Sequence, residues 1–217
     1  TCVFHNNERE IVTSVYGDDF TSTGTKADLD WFKKALESKY DLEEEARLGP
    51  GPEDDKRASI LNRVVRWTDA GLEYEADPRQ AEKLVQDLKL EGAKGVGTPG
   101  AKLNKEQVLD DQKLEATKVT PFRAVAARAN YLAADRPEAQ FAAKEICRWM
   151  SSPTHCSLGA LKRLGRYVEG RRRLVYCYPW QRADHVDVYS DTDWSGCPRT
   201  RKSTSGGCIV LGQHLIK

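Results

Sequence analysis

Two adjacent aspartates, Asp18 and Asp19, follow the β-branched run Ile11-Val12-Thr13-Ser14-Val15 and the pair Tyr16-Gly17. Neighbouring residues of an extended strand point to opposite faces, so two such carboxylates serve one site only where the chain turns. Gly17 supplies the backbone freedom for that turn. Two carboxylates a few ångströms apart repel by about 4 kcal/mol at an effective dielectric of 20, a cost that a divalent cation removes. Mg2+ (or Mn2+) favours carboxylates together with substrate phosphates, and a pair of such ions can clamp the attacking and leaving oxygens of phosphoryl transfer. Asp191 ends a second patterned run, in which Val186, Val188 and Ser190 alternate with Asp187 and Tyr189. Spacing alone leaves two alternatives open: an exposed Asx-turn hairpin at 16–19, and an edge hairpin with incidental acids after 186.

A cluster of cations, Lys162, Arg163, Arg166, Arg171, Arg172 and Arg173, could neutralise several phosphates of a nucleic-acid duplex; its alternative is a solvated helix face. Net charge is +1, but residues 1–110 carry 16 Lys+Arg against 23 Asp+Glu, and residues 111–217 carry 18 against 10. The second half therefore suits a polyanion and the first suits acidic chemistry. Six scattered cysteines with no Cys-x-x-Cys pair argue against zinc at Cys147, His155 and Cys156, and for free thiols in a reducing compartment. The composition, 39% apolar and 31% charged over 217 residues, is that of a folded soluble protein. No apolar run approaches the roughly 18 residues of a membrane span. The chain starts at Thr1 without Met, as expected of a piece of something longer.

The elements that position these residues follow from periodicity. Ile11–Val15 reads as a strand, and Thr25 with Asp28 caps a helix whose stripe is Leu29, Phe32, Leu36 and Tyr40. Ile60–Trp67 and Leu72–Tyr74 read as two short strands around Asp69-Ala70-Gly71. Asp77 caps a helix with Pro78 at its first position and Ala81, Leu84, Val85 and Leu88 as its buried stripe; Glu91–Gly100 reads as a linker. Thr120 and Pro121 predict the start of a helix carrying Phe122, Val125, Ala129 and Leu132, broken at Asp135-Arg136-Pro137-Glu138. A second helix carries Phe141, Ala142, Ile146, Trp149 and Met150, and a third carries Leu158, Leu161, Leu164 and Val168 and stops at Gly170. Strands return at 174–178, 186–190 and 206–211, and the five tryptophans are expected mostly in the core.

Tyr16-Gly17-Asp18-Asp19, between a strand and a capped helix, resembles the Tyr-x-Asp-Asp hairpin in the palm of reverse transcriptases. Pro121–Glu138, then Leu161–Gly170, then Tyr189–Gly196 with Arg201–Gly207 are similar, in the same order, to three segments of Ty1/copia-type retrotransposon Pol polyproteins, the last opening their ribonuclease H. The resemblance spans nearly the whole chain. Gly17 stands where that family usually has Val or Met. The Gly-Asp-Asp it creates is also found in RNA-templated RNA polymerases, a reading that the ribonuclease H-like segment opposes. Residues 47–59 and 90–113 depart from the family's spacing.

The resemblance implies an RNA-directed DNA polymerase with ribonuclease H, using Mg2+ (or Mn2+) on an RNA template, a DNA primer, an RNA–DNA hybrid and deoxynucleoside triphosphates. It implies an α+β fold: a partial palm hairpin and helix over residues 1–76, a helical thumb and connection over 77–180, and the first strands of a truncated ribonuclease H sheet over 181–217. Asp18 and Asp19 would be two of the three polymerase carboxylates, and Asp191 the first ribonuclease H carboxylate. The other acids would lie upstream of Thr1 and downstream of Lys217. Ile60–Tyr74 would grip the primer end, and Asp193 belongs to the motif without a settled role. The rest of the Pol polyprotein would be a partner, with an intracellular life in cytoplasmic virus-like particles and the nucleus. The contrasting class is a catalytically dead remnant that only binds nucleic acid or protein. A half-built ribonuclease H sheet has an unpaired edge. Amides of Val186–Leu211 are therefore expected to exchange within minutes in hydrogen-exchange experiments; strong protection there contradicts the half-built sheet.

Overall fold

The structure is a computed structural model and describes residues 2–101, 111–197 and 200–216. It is α+β, with five helices and three antiparallel sheets among the described residues. The first sheet is a meander of β1 (Cys2–Asn6), β2 (Ile11–Tyr16) and β3 (Asp19–Thr23), followed by α1 (Lys26–Glu37). Thr25 caps α1 by accepting from the Asp28 amide, as its sequence predicts. No residue of α1 is fully buried, and Tyr40 lies beyond its end and is exposed, so the expected stripe stops at Leu36. The strand β1 precedes any element the periodicity predicted.

The second sheet differs from expectation at its start. Where Ile60–Trp67 reads as one strand, the chain makes β4 (Arg57–Ile60) and β5 (Arg63–Thr68), joined by Leu61-Asn62. Both loop residues have positive φ, 49° and 67°, as a two-residue hairpin of the type I′ kind demands. Asn62 tolerates that conformation and Leu61 does not favour it, so the turn left no glycine signature. β6 (Gly71–Glu75) pairs with β5 on one side and, across about a hundred residues, with β7 (Val175–Pro179) on the other. Gly71 sits at φ 155°, and a Cβ there would lie 2.1 Å from the Tyr178 carbonyl oxygen, so this register admits glycine alone.

Between β6 and β7 the described residues form four helices: α2 (Pro78–Asp87), α3 (Ala116–Ala133), α4 (Pro137–Cys147) and α5 (His155–Glu169). Leu84, Val85, Phe122, Ala126, Ala129, Ile146, Leu161, Leu164 and Val168 form their common core. α3 starts four residues before the predicted Thr120 cap, which leaves Pro121 inside the helix. The earlier start is tertiary in origin: Leu114 is buried, and its amide donates to the Pro153 carbonyl (2.9 Å). α4 turns Ala139, Ala142, Ala143 and Ile146 inward, and Phe141 is exposed instead of buried, with the Lys144 ammonium 5.1 Å from its ring centre. Trp149 and Met150 lie beyond the end of α4 yet still pack on the core. Gly165 is central to α5 because the methyl groups of Leu88 and Leu90 occupy its side-chain space, within 2.7 Å of where a Cβ would be.

β8 (Val186–Thr192), β9 (Ser205–Leu211) and β10 (His214–Leu215) form the third sheet, in the order β10-β9-β8. Val186 and Val188 are 57% and 69% exposed, so the apolar face read from alternation is uncovered. Trp194 is 93% exposed, and Trp31 and Trp180 are also exposed, which corrects the expectation of mostly buried tryptophans. Trp31 carries the Arg9 guanidinium 4.2 Å over its ring, and Trp180 packs on half-buried Trp67 with ring centres 4.4 Å apart and planes tilted by 45°.

The turn between α3 and α4 joins the helices to the second sheet. Asp135 accepts from Tyr74 Oη (2.6 Å) and from Arg63 Nε (2.9 and 3.0 Å), and Glu138 accepts from Tyr176 Oη (3.0 Å). Tyr74 and Tyr176 are directly opposite each other on β6 and β7. Burial first, and then the Asp135 hydrogen bond, pushes the Tyr74 phenol well above its ordinary pKa. We expect Asp135→Ala to cost about 3 kcal/mol and Tyr74→Phe about 1 kcal/mol, read from urea midpoints, because the first strands two partners and the second removes one hydrogen bond. Equal, negligible effects would show that this turn does not hold the sheet.

Candidate nucleic-acid and metal sites

The hairpin between β2 and β3 is a two-residue loop, Gly17-Asp18, closed by the Tyr16–Asp19 pair. Gly17 has φ 62° and Asp18 is not in the left-handed region, the φ pattern of a type II′ turn, whose first loop position is normally glycine. Asp18 is therefore at the tip and Asp19 opens β3, and both are exposed. Phe20 lines an apolar groove with Phe4, Ile11, Val15 and Phe32, so Asp19 projects to the opposite face with Val12, Ser14, Tyr16, Thr21 and Thr23. Carboxylate oxygens are the donors a hard cation takes. Among the described residues, however, no three His, Cys, Asp or Glu side chains gather to hold one.

Asp191 lies in the third sheet, opposite Gly206 on β9, and is exposed. Its Oδ1 accepts from the Thr192 amide (2.8 Å). Asp193 plays a local role: its carboxylate accepts from the Thr204 amide while its own amide donates to the Thr204 carbonyl (3.0 Å), closing the end of the β8–β9 hairpin. Asp18 and Asp19 thus stand in one sheet and Asp191 in another. None of the six cysteines is in a disulfide.

The cations lie on and after α5, whose start is fastened by a reciprocal Thr154–Ser157 capping box. Lys162 is exposed. Arg163 donates to Thr98 Oγ1 (2.7 Å), Arg166 to the Lys94 carbonyl (2.9 Å), and Arg171 to the Gly97 carbonyl (3.4 Å). Arg172 pairs with Glu169, and Arg173 pairs with buried Glu75 (2.7 Å). The segment 91–100, read from the sequence as a linker, is seated on α5 by these contacts. Periodicity missed two buried charges: Glu75 and Arg136, which is only 2% exposed and pairs with Glu138. A charged residue inside a strand, and one beside a turn proline, were the only signals. Burial raises the Glu75 pKa, but hydrogen bonds from Arg173 and Arg66 outweigh it and hold the carboxyl below its usual value.

No family model matches the sequence, and no solved structure matches the fold. Among curated proteins the similarity is to retrovirus-related Pol polyproteins, and the chain is a homologue of copia-type transposon Pol. It is 34% identical over 124 residues to the Pol polyprotein from transposon RE1 of Arabidopsis thaliana and 32% identical over 124 residues to that from transposon RE2; each match covers 57% of this chain and 8% of the polyprotein. It is also 35% identical over 96 residues, 44% of this chain, to the uncharacterized mitochondrial protein AtMg00810 of the same plant, of which the match covers 40%. The chain thus spans well under half the length of these relatives.

The Glu75 cluster yields a pH prediction. A carboxylate whose folded pKa is depressed contributes stability above its unfolded value of 4.5, and that stability disappears as pH falls through the lower folded value. Wild-type protein should therefore lose thermal stability on acidification below pH 4.5 more steeply than Glu75→Gln, measured as the melting midpoint against pH; parallel curves would exclude Glu75 from acid sensitivity.

Proposed function

We propose that this chain is part of an RNA-directed DNA polymerase with an adjoining ribonuclease H, from a copia-type retrotransposon Pol polyprotein. The observation that carries the reading is the pair Asp18-Asp19 at the tip of a tight hairpin, in a chain homologous to Pol. In this reading residues 1–76 belong to the palm, 77–180 to thumb and connection, and 181–217 to the start of ribonuclease H. Asp18 and Asp19 hold Mg2+ (or Mn2+) together with a carboxylate from elsewhere in the polyprotein, and Asp191 is one ligand of the ribonuclease H site. The bound ions neutralise phosphate charge and lower the cost of the in-line displacement. The chain's own part is to present the two carboxylates on a short, rigid loop. Lys162, Arg163, Arg166 and Arg171–Arg173 meet the phosphates of template–primer and hybrid, while deoxynucleoside triphosphates are the substrates.

A second reading, a remnant that only binds nucleic acid or protein, is favoured by one observation: the described residues contain no complete carboxylate set. One experiment separates the two. In a longer polyprotein that extends primers, Asp18→Asn is expected to lower RNA-templated extension by on the order of 10³-fold with hybrid binding retained. Asp191→Asn is expected to stop RNA cleavage and spare extension. Undiminished extension removes Asp18 from the chemistry, and a wild-type polyprotein that binds hybrid but never extends is a remnant.

A further inference from the structure

The six cations on and after α5 are not equivalent, and the difference lies in what each one touches. Arg172 and Arg173 are neutralised by Glu169 and Glu75, and the Glu169 carboxyl is held below its usual pKa chiefly by Arg172. Arg163, Arg166 and Arg171 instead spend one N–H group each on a hydroxyl or a backbone carbonyl of residues 94–98. Those acceptors are uncharged, so the three guanidiniums are oriented and keep their full positive charge. A guanidinium carries five N–H donors, so most of them remain available. Arg163 Nε is buried with no hydrogen-bond partner among the described residues, and Arg171 is steadied by the Tyr167 ring, 5.0 Å from its centre.

The segment that orients them is itself held down. The Gly92 amide donates to Glu169 Oε1 (2.8 Å), and Gly95 lies so close to the helix end that an added Cβ would come within 3.0 Å of the Gly170 Cα. Two glycine backbones meet where side chains would separate them. Long arginine side chains normally lose much rotamer freedom when they grip a ligand, and a scaffold that restricts them beforehand reduces that loss.

We propose that residues 91–98 are a positioning strap. The strap holds Arg163, Arg166 and Arg171 as a preset row of guanidiniums that receives successive phosphates of a nucleic-acid backbone, with Lys94 adding a further cation from the strap itself. Phosphate is the ligand class because it is anionic and accepts paired N–H donors from a guanidinium, which neutral acceptors do only weakly. The proposal rests on the nucleic-acid-binding reading above and assigns Thr98, Gly95 and the Lys94 and Gly97 carbonyls a role that reading did not include. Thr98 is a positioning residue, acting through Arg163.

The test uses the full 217-residue chain and a fluorescent RNA–DNA hybrid oligonucleotide, with affinity followed by anisotropy from 50 to 200 mM salt. Thr98→Val, which removes the acceptor for Arg163, is expected to bind roughly three- to tenfold more weakly and to flatten the slope of log affinity against log salt by about 0.9, the signature of one lost phosphate contact. Thr98→Ser keeps the acceptor and should restore both. Gly95→Leu, which wedges the strap off α5, should lose more than Thr98→Val. Melting midpoints within about a degree of wild type for the Thr98 pair exclude general unfolding. If Gly95→Leu fails to fold, the Thr98 pair decides. Unchanged or tighter binding by Thr98→Val, with salt-dependent wild-type binding, overturns the strap and leaves the nucleic-acid reading standing. Absence of salt-dependent binding by wild type overturns both.

Discussion

Everything in the centre of this molecule depends on one four-residue turn, Asp135-Arg136-Pro137-Glu138. Its two carboxylates accept hydrogen bonds from Tyr74 and Tyr176, which face each other across β6 and β7, while Arg136 reaches back to the Arg171 carbonyl (2.8 Å). One turn therefore ties together the end of α3, the start of α4, two strands distant in sequence and the segment after α5. A neutral turn could not do this. Each half-buried phenol needs an acceptor, and each carboxylate needs a donor, or the desolvation cost of the orphaned group would be comparable to the bond itself.

The same accounting explains the distribution of charge. Glu75 is buried between Arg66 and Arg173, and Glu169 is held between Arg172 and the Gly92 amide, so these acids are consumed in fastening sheet and strap. Arg163, Arg166 and Arg171 beside α5 are instead held by neutral acceptors, with Lys162 on the same helix exposed.

The two carboxylate positions are built differently. Asp18 and Asp19 sit on a tight hairpin whose geometry is set by Gly17 and by five residue pairs between β2 and β3. Asp191 sits on an edge strand with exposed apolar neighbours, and the adjoining Asp193 spends its carboxylate closing the hairpin. The Asp18-Asp19 pair and Asp191 therefore stand in different sheets.

Much of this was legible in the sequence because it is local. The Gly17-Asp18 turn, the Thr25 and Asp77 caps, the stripe Ala81, Leu84, Val85 of α2 and the alternation of β8 depend on neighbours within a few residues, and periodicity and capping chemistry report such neighbours directly. The family motifs are likewise contiguous, so the resemblance to Pol needed no coordinates. Tertiary structure decided the rest. It set the β6–β7 pairing, the early start of α3 under the pull of Leu114, the outward rotation of Phe141 and the burial of Glu75 and Arg136. It also set the seating of residues 91–100 on three arginines. Each of these is settled by a partner tens of residues away, and the sequence carries no local record of which distant group will neutralise a charge or fill the space above a glycine.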